Sequence, residues 1–449
     1  MSQKIGNPKK ISVIGLGHIG QTLSVSLAEG GFLVYGTDIN KDVLAQIKKH
    51  ETHWREPGLS ELLSKHLNKN LFVGTPEETS DNEVDVFIVC VSFPASNTSS
   101  KETGSREDLK MVVKNIQPQL RPGQIVIMRT TVAVGTTRNF IKPLLEESGL
   151  NAGEDFGLVF APERTIEGNA IKELGILPQI IGGINERSSK EADDIFRRLN
   201  PHIVHVSSLE TAEMIKLMDN SYRDFRFAYA NEIAKYCEEA GIDAFEAIRA
   251  ANLNYPRNSI PVPSPGVGGH CLCKDSYLFL ESAEEVGQKL ELIAKAREIN
   301  EAVPLRLVNR LKKQGSLANK KVFIAGFAFK GEPETNDMRN SPTVELVRHL
   351  FQEGSLIAGY DPTVEREKIE SLNIQYSETL EEGLKDADIV IFMNNHKSFS
   401  NQQVSDKLSH MKPGGIVFDG WSLFSKDEIE KHGIRYMGIG VGERSSISG

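Results

Sequence analysis

The sequence predicts an α/β protein: two doubly wound parallel-sheet domains joined by a central helical segment that carries one long helix. Three observations predict it. Short β-branched runs alternate with helical stretches from the N-terminus to about Val206, the rhythm of a parallel sheet covered by helices. From Glu210 to Ala240 there is no Pro or Gly, and Ile215, Met218, Tyr222, Phe225 and Tyr229 recur at spacings of three and four. After Lys321 the order strand, helix, strand, acid returns.

In the first segment, the apolar run Ile11 to Ile14 leads into Gly15-Leu16-Gly17-His18-Ile19-Gly20, and a helix is expected to run to Glu29 before Gly30-Gly31 ends it. Phe32 to Thr37 reads as the second strand, closed by Asp38, and Val84 to Val91, Ile125 to Arg129 and Gly157 to Phe160 as later ones. The polar stretch Ala95 to Arg106 reads as a loop. The first glycine of the triplet permits a tight turn, the second lets backbone approach a pyrophosphate, and the third lets helix and strand pack closely. Asp38 stands eighteen residues beyond Gly20, where an acid accepts from the adenosine ribose and repels a 2′-phosphate. Gly15, Gly17, His18, Ile19, Gly20 and Asp38 together point to a Rossmann-like domain that binds NAD; a glycine turn needed only for packing is the plainer alternative.

The pattern from Glu210 predicts one amphipathic helix on the order of 45 Å long, long enough to link domains or to meet a partner subunit. Lys216 and Asn220 are four apart and share a face; a helix-face lysine is usually a solvated charge, but the neighbouring positions here are largely apolar, which favours burial. A Pro/Gly-rich loop follows from Tyr255 to Gly269, and a second helical stretch from about Leu278 to Lys313. In the third segment Val322 to Phe329, Leu356 to Tyr360 before Asp361, Ile389 to Met393 and Ile416 to Asp419 read as buried strands and Thr343 to Phe351 as a helix. Lacking the triple glycine, this Rossmann-like domain is not expected to bind a dinucleotide in the usual way.

Bulk properties bound the function. The 449 residues suggest more than one domain; the divisions are expected at 1–205, 206–313 and 314–449. A net charge of −9 with interspersed signs argues against nucleic-acid binding. No apolar run approaches the roughly 18 residues of a membrane span, and the N-terminus shows no signal-peptide pattern, so a cytoplasmic protein is expected. Four cysteines in so long a chain are expected to be reduced thiols.

One of them stands out. In Pro265-Gly266-Val267-Gly268-Gly269-His270-Cys271-Leu272-Cys273-Lys274-Asp275, a glycine-rich stretch before Cys271 lets a substrate approach the sulfur, and Lys274 favours its thiolate. A small buried cysteine in a turn is the alternative reading. A metal site from His270, Cys271 and Cys273 lacks a second ligand pair at suitable spacing.

With these residues in place, the chain resembles the UDP-glucose/GDP-mannose dehydrogenase family along nearly its whole length. Glu56-Pro57-Gly58-Leu59 is similar to that family's E-P-G-L turn, and Thr130-Thr131-Val132 through Gly135-Thr136-Thr137 to its S-T-V-x-x-G-T-T stretch. Ala161-Pro162-Glu163-Arg164 with Gly168, Lys216 with Asn220, and Gly268 to Asp275 follow in the family's order. Phe329-Lys330, Asp337-x-Arg339-x-Ser341-Pro342 and Tyr360-Asp361-Pro362 complete it. The resemblance implies NAD-dependent oxidation of a nucleotide sugar's C6 alcohol to a carboxylate, with Cys271 as the covalent nucleophile. It implies that Lys216 and Asn220 stabilise oxyanion character at C6, that Asp275 and Thr131 handle protons, and that Glu163 assists as acid–base or thioester-step carboxylate. Lys330 and Arg257 would grip the substrate diphosphate beside Gly268, and Arg339, Lys274 and Thr131 would meet the cofactor. A homodimer or larger homo-oligomer is implied as well, with Arg257 reaching a neighbouring subunit's site.

The motifs around Arg164 and Val267 resemble the UDP-N-acetylhexosamine branch, whereas Lys274 before Asp275 resembles UDP-glucose enzymes. Phe93, Asn336, Cys273 and Ser276 depart from the family pattern; Cys273 and Ser276 replace prolines, and Cys273 raises the question of redox pairing with Cys271. Two rivals remain from the sequence alone: a one-step hydroxyacid dehydrogenase, and a catalytically silent nucleotide-sugar-binding protein.

Overall fold

The computed structural model describes residues 8–52, 54–80, 83–93, 106–400 and 402–442. The chain forms two compact units, Met1–Asp219 with Tyr277–Lys289, and Asn220–Ser276 with Leu290–Gly449.

The first unit is built on an eight-stranded sheet of β1 (Lys10–Ile14), β2 (Leu33–Thr37), β3 (Leu71–Gly74), β4 (Val86–Val89), β5 (Ile125–Met128), β6 (Gly157–Phe160), β7 (Gln179–Gly183) and β8 (Ile203–Val206). The spatial order is β3-β2-β1-β4-β5-β6-β7-β8, all parallel except the antiparallel β6–β7 pair. Its first six strands have the dinucleotide-binding order. Alternate residues feed two cores. Ile11, Val13, Val34, Ile88, Ile127 and Val159 enter one; Phe87, Val89, Val126, Met128, Leu158 and Phe160 enter the other. Both faces are covered, so the strands read as continuous apolar runs.

Register then decides what meets at the functional edge. Ile14 pairs with Thr37 and with Val89, Val89 with Met128, and Met128 with Phe160. The glycine turn, Asp38, the Arg129–Thr131 segment and the Pro162–Arg164 loop therefore all leave the sheet at its carboxyl edge, where ligands bind in this class of fold.

The second unit holds a six-stranded sheet of β9 (Lys321–Ala325), β10 (Leu356–Tyr360), β11 (Gln375–Tyr376), β12 (Ile389–Phe392), β13 (Ile416–Asp419) and β14 (Arg435–Gly438). Its order β11-β10-β9-β12-β13-β14 repeats the first six strands of the other sheet. Val322, Ile324, Ile357, Ile391 and Phe418 lie in one core, Phe323, Val390, Phe392 and Val417 in the other. The fold is thus the expected pair of Rossmann-like sheets with helices between them in sequence.

Two local expectations change, and the long helix buries a face that its periodicity does not mark. The long helix runs Leu209–Ala240, but its apolar stripe is not its buried face: Met218, Tyr222 and Tyr229 are exposed, as are Met214 and Tyr236. The buried face instead carries Ala212, Glu213, Lys216, Leu217, Asn220, Ser221, Asp224, Ala228 and Asn231, mostly small or polar residues, of which Glu213, Asn220 and Asp224 find partners far away in sequence. The stretch expected from Leu278 to Lys313 is three helices, His270–Glu285, Glu291–Glu301 and Val303–Lys313. The break falls at Gly287, which adopts φ +71, and the third helix takes Pro304 in its first turn, where no amide is needed. The helix also begins eight residues earlier than expected, so Cys271 stands in its first turn rather than in the loop. Within the expected loop Ala95 to Arg106, residues 95–105 lie outside the described residues, and Arg106 opens the helix Arg106–Ile116.

Candidate active site

In the first unit, the glycine turn divides its tasks as the sequence implied. A Cβ on Gly20 would lie 1.8 Å from the Gly15 carbonyl oxygen, whereas one on Gly17 would meet nothing within 4 Å. The third glycine is required for packing; the second faces open space. His18 opens the helix His18–Glu29 with Gly17 as N-cap and no side chain capping it. The first-turn amides, including Ile19, are therefore left to an anion. Asp38 accepts one backbone hydrogen bond on each oxygen, from Leu16 (2.7 Å) and Asn40 (2.8 Å), and keeps acceptor capacity for ribose hydroxyls. An open glycine, an uncapped helix start and a half-satisfied acid fit NAD. His18 is aimed by Glu56, 3.1 Å from its Nε2, and Glu56 also accepts from the amide of Gly168 (2.9 Å). The E-P-G-L glutamate thereby links the glycine-turn helix to the loop after Glu163.

Glu163 is buried and paired with an equally buried Arg129, Nε to Oε2 3.0 Å and Nη2 to Oε2 2.5 Å. Its other oxygen accepts from the amides of Arg164 and Thr165, each at 2.7 Å. Burial opposes its charge, but Arg129, the Thr165 amide and Lys216 outweigh burial and hold the carboxyl at about 2. Arg164 is braced by Asp219 on the long helix, Nε to Oδ2 2.8 Å. Thr131 is half-buried just past β5. The loop that follows it is anchored by Glu213, which accepts from the amides of Gly135 (2.6 Å) and Thr137 (2.8 Å). Burial pushes Glu213 up to about 7 against those two amides. Lys216, one turn further along, is buried.

In the second unit, Cys271 is exposed and Cys273 buried. Residues two apart on a helix do not face each other, so the two thiols are separated and the redox pairing raised by the sequence is not formed; none of the four cysteines is in a disulfide. Asp275, four residues on, shares the Cys271 face and is buried. Asn220 donates to Asp275 Oδ2 at 2.5 Å and accepts from Arg223 at 2.5 Å, which fixes its amide. Asp275 Oδ1 accepts no hydrogen bond, and the buried Lys274 ammonium lies 3.7 Å from it.

The Gly268-Gly269 pair packs on distant motifs of the same unit. A Cβ on Gly268 would lie 2.7 Å from the Asn340 carbonyl oxygen, and one on Gly269 2.9 Å from the Phe329 ring. Gly269 donates to the Arg339 carbonyl (3.2 Å). The third-segment signature thus supports the turn that precedes Cys271. Arg339 is held by Asp337, Nη2 to Oδ2 2.7 Å, Lys330 lies 5.4 Å from the Phe329 ring centroid, and Asn336 donates to Glu365 (2.9 Å). Arg257 is exposed and held by Tyr255, Nε to Oη 2.9 Å.

Asp361, the counterpart of Asp38 in the second sheet, is consumed internally. Its Oδ2 accepts from the amides of Phe327 (2.6 Å) and Ala328 (3.0 Å), and its Oδ1 from those of Thr363 (2.8 Å) and Val364 (3.1 Å). Nothing is left for a ribose, in keeping with a sheet that does not bind a dinucleotide in the usual way.

Sequence reasoning missed Arg129, Glu213 and the locking role of Arg223. Arg129 closes an apolar strand and Glu213 sits on a helix with charges all round, so neither position shows its burial in the sequence. Among the described residues, no group of three or more His, Cys, Asp or Glu could hold a metal ion, and no helix is long and apolar enough to cross a membrane.

Comparison with known proteins shows the family. The models of the UDP-glucose/GDP-mannose dehydrogenase family match in order: the NAD binding domain at residues 9–200, the central domain at 210–302 and the UDP binding domain at 323–426. The UDP-N-acetyl-D-mannosamine dehydrogenase of Methanocaldococcus jannaschii is 34% identical over 447 residues, 99% of each chain. The NDP-N-acetyl-D-galactosaminuronic acid dehydrogenase of Ralstonia solanacearum is 31% identical over 402 residues, 87% of this chain and 92% of that one. The solved UDP-D-ManNAc dehydrogenase of Pyrococcus horikoshii superposes with a TM-score of 0.85 at 32% identity, covering 96% of this chain and 99% of that one. With an NAD-type glycine turn, an exposed cysteine in a helical first turn and all three family domains in order, the chain belongs to the UDP-glucose/GDP-mannose dehydrogenase family and is an NAD-dependent nucleotide-sugar dehydrogenase.

Proposed function

We propose that this enzyme carries out the four-electron oxidation of the C6 alcohol of a UDP-N-acetylhexosamine, UDP-N-acetyl-D-mannosamine first among them, to the uronic acid, with Cys271 as nucleophile. The product would serve polysaccharide precursor synthesis. The observation that carries this reading is Cys271 itself: exposed, in the first turn of a helix, with Asp275 and Asn220 hydrogen-bonded along the same face. Functionally, we assign residues 1–205 to the cofactor, 206–313 to the chemistry and 314–449 to the nucleotide.

NAD, when bound, accepts the hydride of each of the two oxidations. The Cys271 sulfur adds to the C6 aldehyde left by the first, forming an S–C6 bond while the carbonyl oxygen gains a proton. The second oxidation turns that thiohemiacetal into a thioester. Water then adds to the thioester carbon, the C–S bond breaks, and the acid leaves with the thiol restored. The amides of the helix's first turn stabilise negative charge on the sulfur. Lys216 and Asn220 stabilise the C6 oxyanion. Asp275 and Thr131 carry protons, Asp275 through the oxygen that accepts no hydrogen bond. Glu163 acts as a fixed negative charge that orients Lys216; a carboxyl held at about 2 stays ionised throughout the neutral range and is a poor proton donor. Gly15, Gly17, His18, Ile19, Gly20 and Asp38 hold NAD, Arg339 and Lys274 assist there, and Lys330 and Arg257 bind the diphosphate beside Gly268.

The sugar assignment rests on the UDP-N-acetyl-D-mannosamine dehydrogenases among its relatives and on Arg164, whose fork is braced by Asp219 for an acceptor on the substrate. The expected result is a higher kcat/KM for UDP-N-acetylmannosamine, or for the gluco or galacto epimer, than for UDP-glucose. A tenfold preference for UDP-glucose, about 1.4 kcal/mol, would replace this reading by UDP-glucose oxidation. On the cofactor side, the enzyme is expected to prefer NAD to NADP and Asp38→Ala to narrow that preference; a wild-type preference for NADP would overturn the role of Asp38.

The long helix supports a homodimer. Tyr222 and Tyr236 are 62% and 66% exposed, and with Met214, Met218 and Tyr229 they form an apolar stripe far longer than scattered surface residues explain. A second copy covers it, and Arg257 completes the neighbouring site. Inactive Arg257→Ala mixed with inactive Cys271→Ser should regain activity in hybrid dimers; demonstrably mixed dimers without activity would count against a shared site.

A further inference from the structure

The chain holds its nucleophile-bearing helix by a device that the chemistry above does not use. Asp224, on the buried face of the long helix, is fully enclosed. It accepts from Arg297 Nη1 (2.8 Å) and Asn300 Nδ2 (2.8 Å) of the helix Glu291–Glu301, and from the Ser276 hydroxyl (3.4 Å) of the cysteine helix. Arg297 Nη2 reaches in two directions, to Glu301 (3.0 Å) and to the Cys273 sulfur (3.7 Å). That sulfur also donates to the Val267 carbonyl (3.3 Å). Burial pushes the Cys273 thiol up to about 11 in spite of Arg297, so it keeps the proton that this bond needs. From the same helix as Arg297, Asn300 accepts from Asn231 (3.0 Å), and Asn231 in turn accepts from the Ser264 amide (2.9 Å). The network therefore grips the chain on both sides of Cys271, at Ser264 and Val267 before it and at Cys273 and Ser276 after it.

We propose that Arg297 is a positioning residue for Cys271: its guanidinium ties Asp224 of the long helix to the thiol of Cys273 and so fixes the direction in which the first helical turn presents the Cys271 sulfur. A proline at position 273 would stiffen this turn through its own ring. Cys273 replaces covalent stiffness with a side-chain clasp, and Ser276, at the other proline position, ties the next turn to the same aspartate. Arg297 has no part in hydride transfer, so its loss should fall on the thiol-dependent half of the reaction. This inference rests on Cys271 being the nucleophile.

The test uses the full chain and measures two quantities. One is the pH midpoint of iodoacetamide alkylation at Cys271, followed by peptide mass spectrometry without cofactor or sugar. The other is the NADH formed per sugar, with the sugar's KM. In Arg297→Met the midpoint should rise toward that of an unstructured thiol, and aldehyde should accumulate as the NADH count falls below two. The rate of acid formation should fall about tenfold with KM within about twofold. Arg297→Lys, which keeps the charge but cannot span both partners, should recover part of the loss. Cys273→Ala removes only the sulfur end of the clasp and should shift the midpoint in the same direction by less, which keeps the test open if Arg297→Met does not fold. A midpoint and NADH count unchanged in folded Arg297→Met or in Cys273→Ala would overturn the proposal. So would equal loss of both oxidations together with thermal stability, the pattern of a merely structural residue. Cys271→Ser separates the two readings: if it still forms acid, the nucleophile assignment itself fails; if it does not while Arg297→Met behaves as wild type, only the positioning role fails.

Discussion

Cys271→Ser is expected to abolish net acid formation while cofactor binding stays close to wild type. The serine hydroxyl is a far weaker nucleophile than a thiolate and its ester a poorer partner for the second oxidation, so the loss should exceed about a thousandfold, roughly 4 kcal/mol. The first oxidation needs no covalent bond and should persist as slow aldehyde formation. Cys271 should also be the first thiol alkylated, since Cys273 is buried, and bound sugar should protect it. Rapid alkylation of Cys273 ahead of Cys271, or acid formation by the serine variant at the wild-type rate, would contradict the assignment.

The second large effect is on stability. Arg129 and Glu163 form a buried ion pair, with both side chains under 5% exposed, and Arg129 also lies 5.2 Å from the centre of the Phe196 ring. Arg129→Ala strips the partner from an enclosed carboxylate and should destabilise the fold by about 3–5 kcal/mol. The double variant Arg129→Met, Glu163→Gln removes both charges and should recover most of that loss, although not the activity. The pH dependence has a definite sign. The folded-state value of Glu163, about 2, lies below its ordinary 4.5. The stability it adds is therefore fully present above pH 4.5 and is lost as pH falls from 4.5 toward 2, on the order of 3 kcal/mol in all. Thermal unfolding between pH 7 and pH 3 should show a shallower acid limb for the double variant than for wild type. Equal limbs would mean that the pair is not what holds this carboxyl down.

Much of this molecule was legible in its sequence because a fully covered parallel sheet writes itself as apolar runs. Ile11–Ile14, Gly157–Phe160 and Ile416–Asp419 needed only composition and bounding glycines or acids. Burial of Lys216 and Asn220 was expected as well, although the apolar neighbours that suggested it, Met218 and Tyr222 among them, are exposed; the pair goes inside together because it shares a face on a pitch of four. The long helix shows the limit. Its periodicity established a helix but not which face was inside: two faces repeat at the same spacing, and the buried one carries Glu213, Asn220 and Asp224, whose partners Thr137, Asp275 and Arg297 lie far away in sequence. Arg129 was hidden for a similar reason, as one cation at the end of a strand. The early start of the cysteine helix was masked by the glycines before it. Gly269, with φ +89, reverses the chain there, and the helix begins at the next residue.

Whether one enzyme performs both oxidations through Cys271 is read from the count of NADH formed per sugar. A limiting amount of UDP-N-acetylmannosamine, or of whichever UDP-sugar the enzyme prefers, is taken to completion with excess NAD, and the NADH formed is divided by the sugar consumed. Two NADH per sugar are expected, with uronic acid as the product. A ratio of one with the wild-type enzyme, ending at the aldehyde, or no NADH with any UDP-sugar would contradict it.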